Sequence, residues 1–115
     1  MNKVYHINST YYGQTATVIL EDGYAYVMVT IMRNNPEDAI IHDLVVHQDR
    51  RGEGLGRELL NEAVDMAWVM GAKAAILSVE PGGWLEEWYG RHGFKDTGAT
   101  ETVFDVEHKV LQKSL

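Results

Sequence analysis

The sequence predicts a single α/β domain built on a mixed β-sheet, and three patterns in the chain support this fold class. Alternating apolar residues over positions 15–32, interrupted by a turn, are typical of antiparallel strands. Residues 57–70 have apolar side chains at helical spacing, which indicates an amphipathic helix packed on a sheet. Residues 74–79 form a continuous apolar run of strand length, as expected for a parallel strand that is buried on both faces.

The first half of the chain is predicted to form an antiparallel meander. Asp22 and Gly23 favour a hairpin turn because both residues tolerate the positive φ angles that such turns require. An Asn-Asn-Pro-Glu sequence at residues 34–37 then breaks the returning strand. The predicted strands of this half are residues 3–7, 15–20, 24–32 and 39–46.

The second half is predicted to contain two helices and three strands. Gly71 is placed to end the first helix, since glycine readily adopts the left-handed conformation that closes a helix. Residues 84–92 predict a shorter helix that Gly93 closes, and a strand starts at Phe94. Residues 102–111 alternate as one more strand. One side of that strand is expected to present Phe104, Val106, His108 and Val110.

Composition restricts the class of function. The formal net charge of -7 argues against general nucleic-acid binding, because neutralising phosphates requires clustered lysine and arginine. The chain has no cysteine, which excludes thiolate catalysis and thiolate metal sites, and no helical His-x-x-x-His pair predicts a metal centre. It lacks an apolar segment of roughly 20 residues or an N-terminal signal pattern. We therefore expect one cytoplasmic domain over residues 1–115 that does not enter a membrane.

A glycine-rich loop, Arg-Gly-Glu-Gly-Leu-Gly at residues 51–56, connects a predicted strand to the first predicted helix. Glycines let the backbone approach an anion closely, and the first amides of a helix lack intrahelical acceptors and lie at its positive end. A phosphate group is therefore expected to bind at this loop. Arg50, Arg51 and Arg57 flank the loop and would suit a pyrophosphate, although three solvated arginines near a helix start give the same pattern.

Two well-known phosphate loops do not fit this sequence. The ATPase loop ends in Gly-Lys-Ser/Thr, whereas Arg57 and Glu58 follow the last glycine here. The dinucleotide-binding fingerprint needs glycines at its first, third and sixth positions, and no glycine is found at the sixth position from either Gly52 or Gly54. Glu80 lies where a ribose-binding acid would follow the next strand, but too little chain remains for the rest of such a domain.

The loop resembles the Arg/Gln-x-x-Gly-x-Gly/Ala loop of the GNAT superfamily of N-acetyltransferases, with matches at Arg51, Gly54 and Gly56. Residues 44–46 resemble the family's Leu-x-Val strand, and residues 88–94 resemble its Tyr-x-x-x-Gly-Phe segment. This resemblance implies a mixed, largely antiparallel sheet with helices on both faces. The two helices that usually follow the first strand have no room within residues 8–38, which match the family only loosely.

The resemblance also implies an acetyl-CoA site. In GNAT enzymes the strand before the loop and the strand after the first helix part, and the pantetheine arm of acetyl-CoA lies between them. By resemblance the amide of Leu44 would donate to the thioester carbonyl, and the backbone of Val46 would bind the pantetheine amides. The implied coenzyme-binding residues are Leu44, Val45, Val46, Arg51, Gly52, Glu53, Gly54, Leu55, Gly56 and Arg57.

Two residues are the candidates for proton transfer. Tyr89 lies at the tyrosine of the family segment, which in many members protonates the leaving thiolate, although it could also simply pack its helix on the sheet. His42 is predicted to share a strand face with Leu44, where it would be either the base that deprotonates the amine or a histidine without a catalytic role. Asp43 should point to the opposite face, which makes it the weaker candidate.

The resemblance implies an acetyl-CoA-dependent N-acetyltransferase in which a primary amine, on a small molecule or a protein, attacks the thioester directly. The alternative is a protein of the same fold that binds acyl-CoA and regulates a partner without turnover. Many members have an asparagine where Gly82 stands, so coenzyme affinity or pose would differ here. The missing helices predict either an open acceptor site or one that a second subunit completes in a homodimer. The sequence does not identify the acceptor.

Overall fold

The computed structural model describes residues 2–115, and these residues form a single sheet and two α-helices. The elements in chain order are β1 (Lys3–Thr10), β2 (Gly13–Leu20), β3 (Ala25–Met32), β4 (Asn35–Val46), α1 (Leu55–Val69), β5 (Ala74–Val79), α2 (Trp84–Arg91), β6 (Lys95–Val103) and β7 (Val106–Ser114). The seven strands follow the order β1-β2-β3-β4-β5-β7-β6. Only β4 and β5 pair in parallel, so the predicted mixed and largely antiparallel sheet is confirmed.

The predicted meander is present as β1 to β4. The expected turn at Glu21–Gly23 is a short 3₁₀ turn, in which Asp22 adopts a φ of 58°. Strand β4 begins earlier than predicted, because only residues 33 and 34 connect it to β3. Pro36 is tolerated there because it lies next to the first residue of the strand, away from the central part of the ladder.

Strands β4 and β5 pair over three residues and then separate. Their parallel register runs from Asp38 opposite Ala74 to Ile40 opposite Ile76, and no pairing between them continues beyond this point in residues 2–115. Helix α1 connects the two strands and ends at Val69, and Gly71 just beyond it has a φ of 94°, which gives the expected left-handed stop. The second half of β4 therefore has a free edge that leads directly to the glycine loop.

The prediction of one strand over residues 102–111 is wrong. Strand β6 ends at Val103, and the chain reverses through Phe104 and Asp105, which have φ angles of 48° and 63°. Phe104 is 97% exposed, so its expected place on a strand face beside Val106 is not observed. The alternation of apolar residues continues through this turn in the sequence, and neither turn residue is the glycine or asparagine that usually marks such a hairpin.

Replacing the turn residues with Asn-Gly, as Phe104→Asn with Asp105→Gly, should stabilise the protein. Both native residues hold left-handed angles that asparagine and glycine adopt at lower cost, so the expected gain is about 1 kcal/mol in the free energy of unfolding. Urea unfolding measures this gain. The control Phe104→Leu retains the backbone strain and should change stability by less than about 0.5 kcal/mol, because the side chain is exposed. A destabilised Asn-Gly variant would contradict the turn assignment.

The hydrophobic core lies on one face of the sheet, and both helices contact this face. Helix α1 buries five side chains against strands β2 to β5, namely Leu55, Leu59, Leu60, Ala63 and Ala67. Helix α2 adds Tyr89 to the same core, next to Phe94. Lys109, on the same side of β7 as the buried Leu111, pairs with Glu86 of α2 at 2.9 Å.

The expected placement of helices on both faces is therefore corrected. Within residues 2–115, no helix covers the sheet face opposite the core, which we call the helix-free face. The connections between β1 and β4 are too short to contain helices. On that face Tyr26 and Val45 are exposed, and Met28 is half-buried. No helix in the described part of the chain is long and apolar enough to cross a membrane.

Candidate active site

The glycine loop has the geometry of an anion site. Gly52 and Gly54 adopt φ angles of 85° and 83°, a left-handed conformation that strains any residue with a side chain. Gly54 is the N-cap of α1 and has no side chain that could accept a hydrogen bond, so the first amides of α1 remain available as donors. Open space surrounds the position where a Cβ of Gly54 would lie. A phosphate group could approach these amides at the positive end of the helix.

The three arginines near the loop do not act as one basic cluster, which corrects the sequence-based interpretation. The Arg50 guanidinium donates to both carboxylate oxygens of Glu53 at 3.0 Å and lies 5.3 Å from the ring centre of Tyr24. Its pKa is raised mainly by the hydrogen bond to Glu53. Arg50 is thus already neutralised, and Glu53 itself is occupied. Arg51 and Arg57 are the cations left to face an anion.

Arg51 connects the loop to the end of β4. Its Nε donates to the carbonyl of Val46 at 3.2 Å, and its two terminal nitrogens make no hydrogen bond within residues 2–115. The amide of His47 donates to the carbonyl of Tyr24, the residue just before β3, at 2.7 Å. Because neighbouring residues of a strand direct their backbone groups to opposite edges, Leu44 and Val46 direct theirs toward the β5 side. The free edge of β4 therefore presents these two amides, while the Val46 carbonyl is already bound.

His42 and Leu44 lie on opposite faces of the sheet, so the prediction that they share a face is wrong. The cause is a β-bulge at Asp43, which has a φ of 55° and shifts the register of β4 against β3 between Tyr26 and Met28. Leu44 packs against the core, whereas His42 pairs with Met28 on the helix-free face. Asp43 does not point away from His42 either, and its carboxylate lies 2.9 Å from His42 Nδ1.

His42 belongs to a hydrogen-bonded chain of four side chains, those of Asp43, His42, Thr30 and Thr15. Its Nε2 lies 2.7 Å from the Thr30 hydroxyl, which in turn lies 2.9 Å from the hydroxyl of Thr15. An ionised Asp43 can only accept, so Nδ1 of His42 is the donor to it, and in the neutral ring Nε2 accepts from Thr30. Both ring nitrogens are therefore occupied. Nothing in the sequence connected Thr15 or Thr30 to this histidine, because the link depends on strand register.

Tyr89 lies in the last turn of α2 and is buried, with 9% of its surface exposed. Its ring packs edge-on against Trp88 and Phe94, with ring centres 5.1 and 5.9 Å away. Burial raises the pKa of Tyr89, so the phenol keeps its proton. Its hydroxyl has no hydrogen-bond partner in the described part of the chain.

A cleft of about 410 Å³ lies beside Tyr89 at the end of β5. It is lined by Ser78, Val79, Glu80, Gly83, Trp84, Leu85, Tyr89 and His108. A wider groove of about 530 Å³ between β6 and β7 is lined by residues such as Lys95 and Gln112, which belong to neither the loop nor α2. Within residues 2–115, no group of three or more His, Asp or Glu side chains is placed to hold a metal ion.

Two separating strands and a glycine loop at the start of a helix are the features that the resemblance to N-acetyltransferases implies for this fold. The sequence model of the acetyltransferase (GNAT) domain matches residues 12–96. The chain belongs to the GNAT family. None of the curated proteins matches the sequence.

Solved structures share the fold at low sequence identity. An acyl-CoA N-acyltransferase from Pseudomonas aeruginosa superposes with a TM-score of 0.74 and 24% identity, over 89% of this chain and 70% of that chain. A GNAT family acetyltransferase from Elizabethkingia anophelis with acetyl-CoA bound has a TM-score of 0.72 and 12% identity, over 99% of both chains. A putative N-acetyltransferase from Lactobacillus plantarum has a TM-score of 0.71 and 18% identity, over 90% of this chain and 69% of that chain.

Proposed function

We propose that this protein is an acetyl-CoA-dependent N-acetyltransferase that transfers the acetyl group to a primary amine by direct attack. The observation that supports this most is the separation of β4 and β5 after Ile40 and Ile76, next to the glycine loop. A free strand edge that ends at the amides of a helix start suits a long substrate with amide groups at one end and a pyrophosphate at the other. The Elizabethkingia anophelis structure with acetyl-CoA bound shares this fold.

In this proposal the chain holds acetyl-CoA mainly through its backbone. The amides of residues 54–57 and the guanidinium groups of Arg51 and Arg57 would hold the pyrophosphate. The β5-facing amides of Leu44 and Val46 would bind the acetyl and pantetheine carbonyls. An amide fixed at the oxygen that becomes negative in the transition state typically contributes roughly 10²- to 10³-fold in rate.

Tyr89 would supply the proton for the leaving thiolate. A raised pKa keeps its phenol protonated throughout the neutral range, and its hydroxyl has no partner within residues 2–115 that would compete for the proton. The sulfur atom is the site that needs this proton when the carbon–sulfur bond breaks. The family segment supports this role, because Tyr89 lies at the position of the tyrosine that acts as general acid in many members.

His42 is proposed as the base, acting through the hydrogen-bonded chain with Thr30. When the ring gains a proton, Nε2 becomes a donor, and the Thr30 hydroxyl can rotate to accept from it. Asp43 at 2.9 Å would then stabilise the imidazolium. A proton from the amine could enter by way of the Thr30 hydroxyl or directly at the ring once Thr30 has rotated away.

His42→Ala should lower turnover roughly 10²-fold, because a positioned general base typically contributes a rate factor of this size. Measuring kcat on a confirmed acceptor tests this. Thr30→Val is the matched variant, because it retains the imidazole and removes only its hydroxyl partner. Wild-type turnover in His42→Ala would show that water, rather than this histidine, removes the proton.

A second candidate function is acyl-CoA binding without turnover, as in a regulatory protein. It is favoured by the occupied ring nitrogens of His42 and by the sheet face without helices. Incubating the purified protein with acetyl-CoA and a panel of amines and peptides, with thiol release as the readout, distinguishes the two. Tight acetyl-CoA binding without thiol release for any acceptor would replace the enzymatic proposal.

The acceptor side is proposed to be either open or completed by a second copy of the chain. The exposed Tyr26 and Val45 on the helix-free face support both arrangements, since such side chains suit a protein acceptor or a dimer contact. Light scattering at several concentrations measures the oligomeric state. The cytoplasmic location and the single domain over residues 1–115 stay predictions.

A further inference from the structure

The cleft beside Tyr89 has an acidic and aromatic lining. Glu80 contributes its carboxylate, and Trp84 contributes an indole that is 71% exposed. No lysine or arginine is among the lining residues, and His108 is the only one with a basic side chain. A volume of about 410 Å³ is within the usual range for small-molecule sites.

The carboxylate of Glu80 makes no ion pair or hydrogen bond within residues 2–115. Glu86, in contrast, is held by Lys109 at 2.9 Å. A second carboxylate, that of Glu101, accepts from the hydroxyl of Ser78 at the cleft wall. Lys109 is thus occupied, and the field in the cleft favours a cation.

Tyr89 gives independent evidence that the cleft holds a ligand. It is more than nine-tenths buried, lines the cleft and has no hydrogen bond to its hydroxyl within the described residues. No fully buried side-chain polar atom of these residues lacks a partner. The hydroxyl must therefore keep some contact with solvent, which it has only where the cleft opens onto it. Because the rest of the side chain is buried, this hydroxyl can bond only to water or to a ligand in the cleft.

Trp84 adds a largely exposed aromatic surface to the cleft. Its ring stacks with no other aromatic side chain in residues 2–115, whereas the ring of Trp88 on the same helix contacts Tyr89 and His92. An exposed indole near a free carboxylate is a common way to bind an ammonium group, through cation–π attraction and a charge-assisted hydrogen bond.

We propose, building on the proposed function, that the acceptor is a small diamine whose second nitrogen stays charged and is held between Glu80 and Trp84. The other nitrogen, unprotonated, lies near Tyr89 and forms the bond to the acetyl carbon as the carbon–sulfur bond breaks. The thiolate takes the proton of Tyr89, His42 takes the proton that the nitrogen loses, and proton exchange with solvent restores both side chains. The products are the monoacetylated diamine and free CoA.

Three acceptors that differ in one end group test this inference. They are 1,4-diaminobutane, 4-amino-1-butanol and butylamine, of which only the first has a second charge. We expect kcat/KM for the diamine to exceed the other two by roughly 10-fold at low salt and the preference to shrink as salt is added. Equal kcat/KM values for all three would overturn the inference while leaving the N-acetyltransferase proposal intact.

Glu80→Gln should remove this preference, because the amide leaves the second ammonium group without a negative partner. Glu87→Gln is the matched control, since Glu87 is an exposed carboxylate of α2 that pairs with Arg91 and does not line the cleft. The control should retain the full preference for the diamine. An unchanged preference in Glu80→Gln would contradict the proposed site.

A binding measurement separates failure of this inference from failure of the proposed function. Titrating the protein alone with 1,4-diaminobutane should shift the indole N–H resonance of Trp84, which is assigned by its loss in Trp84→Phe. Butylamine should not produce the same shift at equal concentration. A shift without thiol release for any amine would retain the cation site and reject turnover, and absence of a shift would reject the site.

Discussion

Gly54→Asp should abolish the thermal stabilisation that acetyl-CoA gives to this protein. A ligand that binds only the folded state at 100 times its Kd stabilises it by about 2.7 kcal/mol, which is a measurable rise in melting temperature. At residue 54 an aspartate would add a negative charge and a side chain beside the free amides of α1 and Arg57. The aspartate would therefore repel the pyrophosphate and fill the space that the pyrophosphate needs. Differential scanning fluorimetry with and without acetyl-CoA gives the result.

A second glycine of the chain provides the control for backbone strain. Gly98 has the same φ of 83° as Gly54, and open space also surrounds the position of its Cβ. It lies on β6, outside the loop. Gly98→Asp should thus lower the melting temperature by a similar amount and keep the full response to acetyl-CoA. If folded Gly54→Asp keeps that response as well, the loop is not the coenzyme site. If NAD or ATP stabilises the wild type as much as acetyl-CoA does, the other phosphate-binding families are favoured.

Most of the fold could be predicted because its elements follow local patterns. The two helices were found from their spacing and from Gly71 and Gly93, which end them in left-handed conformations. Strand β5 was found from a continuous apolar run, and the structure confirms its parallel pairing with β4. These features depend on residues within one element, so the sequence contains the information directly.

The errors arise where an element departs from regular geometry. A bulge at Asp43 reverses the side chains that follow, and no glycine or proline marks it. The turn at Phe104 uses an aromatic residue in a conformation that disfavours it, so strand alternation concealed the hairpin. In both cases the surrounding strand pairs impose an angle that the local sequence does not prefer.

The sequence indicated the motifs of the candidate site, whose roles stay predictions, but not the contacts between its residues. The glycine loop and Tyr89 occur at family positions, and the structure gives each a geometry that suits its proposed role. Partners that come from distant strands were missed, as in the link between Thr30 and His42. The pairing of Arg50 with Glu53 was also missed, because a charge pattern alone does not show which side chains turn toward each other.

Tyr89→Phe should reduce kcat roughly 10²- to 10⁴-fold while leaving the fold and the affinity for acetyl-CoA intact. The substitution removes only a hydroxyl, and because this hydroxyl has no protein partner, no buried group of the described residues loses a hydrogen bond. The ring can still pack edge-on against Trp88 and Phe94. A stability defect is therefore not expected, and a loss of turnover would report on the chemistry.

The pH dependence gives the prediction for Tyr89 a second readout. Burial raises the pKa of its phenol above the ordinary value near 10. The phenol is therefore protonated below that pH and loses its proton only as the pH rises through the raised pKa of the folded protein. The wild type should retain turnover into the alkaline range and then decline, and Tyr89→Phe should lack this final decline. Tyr24→Phe is the matched control, because Tyr24 is exposed and lies outside the cleft. Full activity of Tyr89→Phe on a confirmed acceptor would show that water protonates the thiolate.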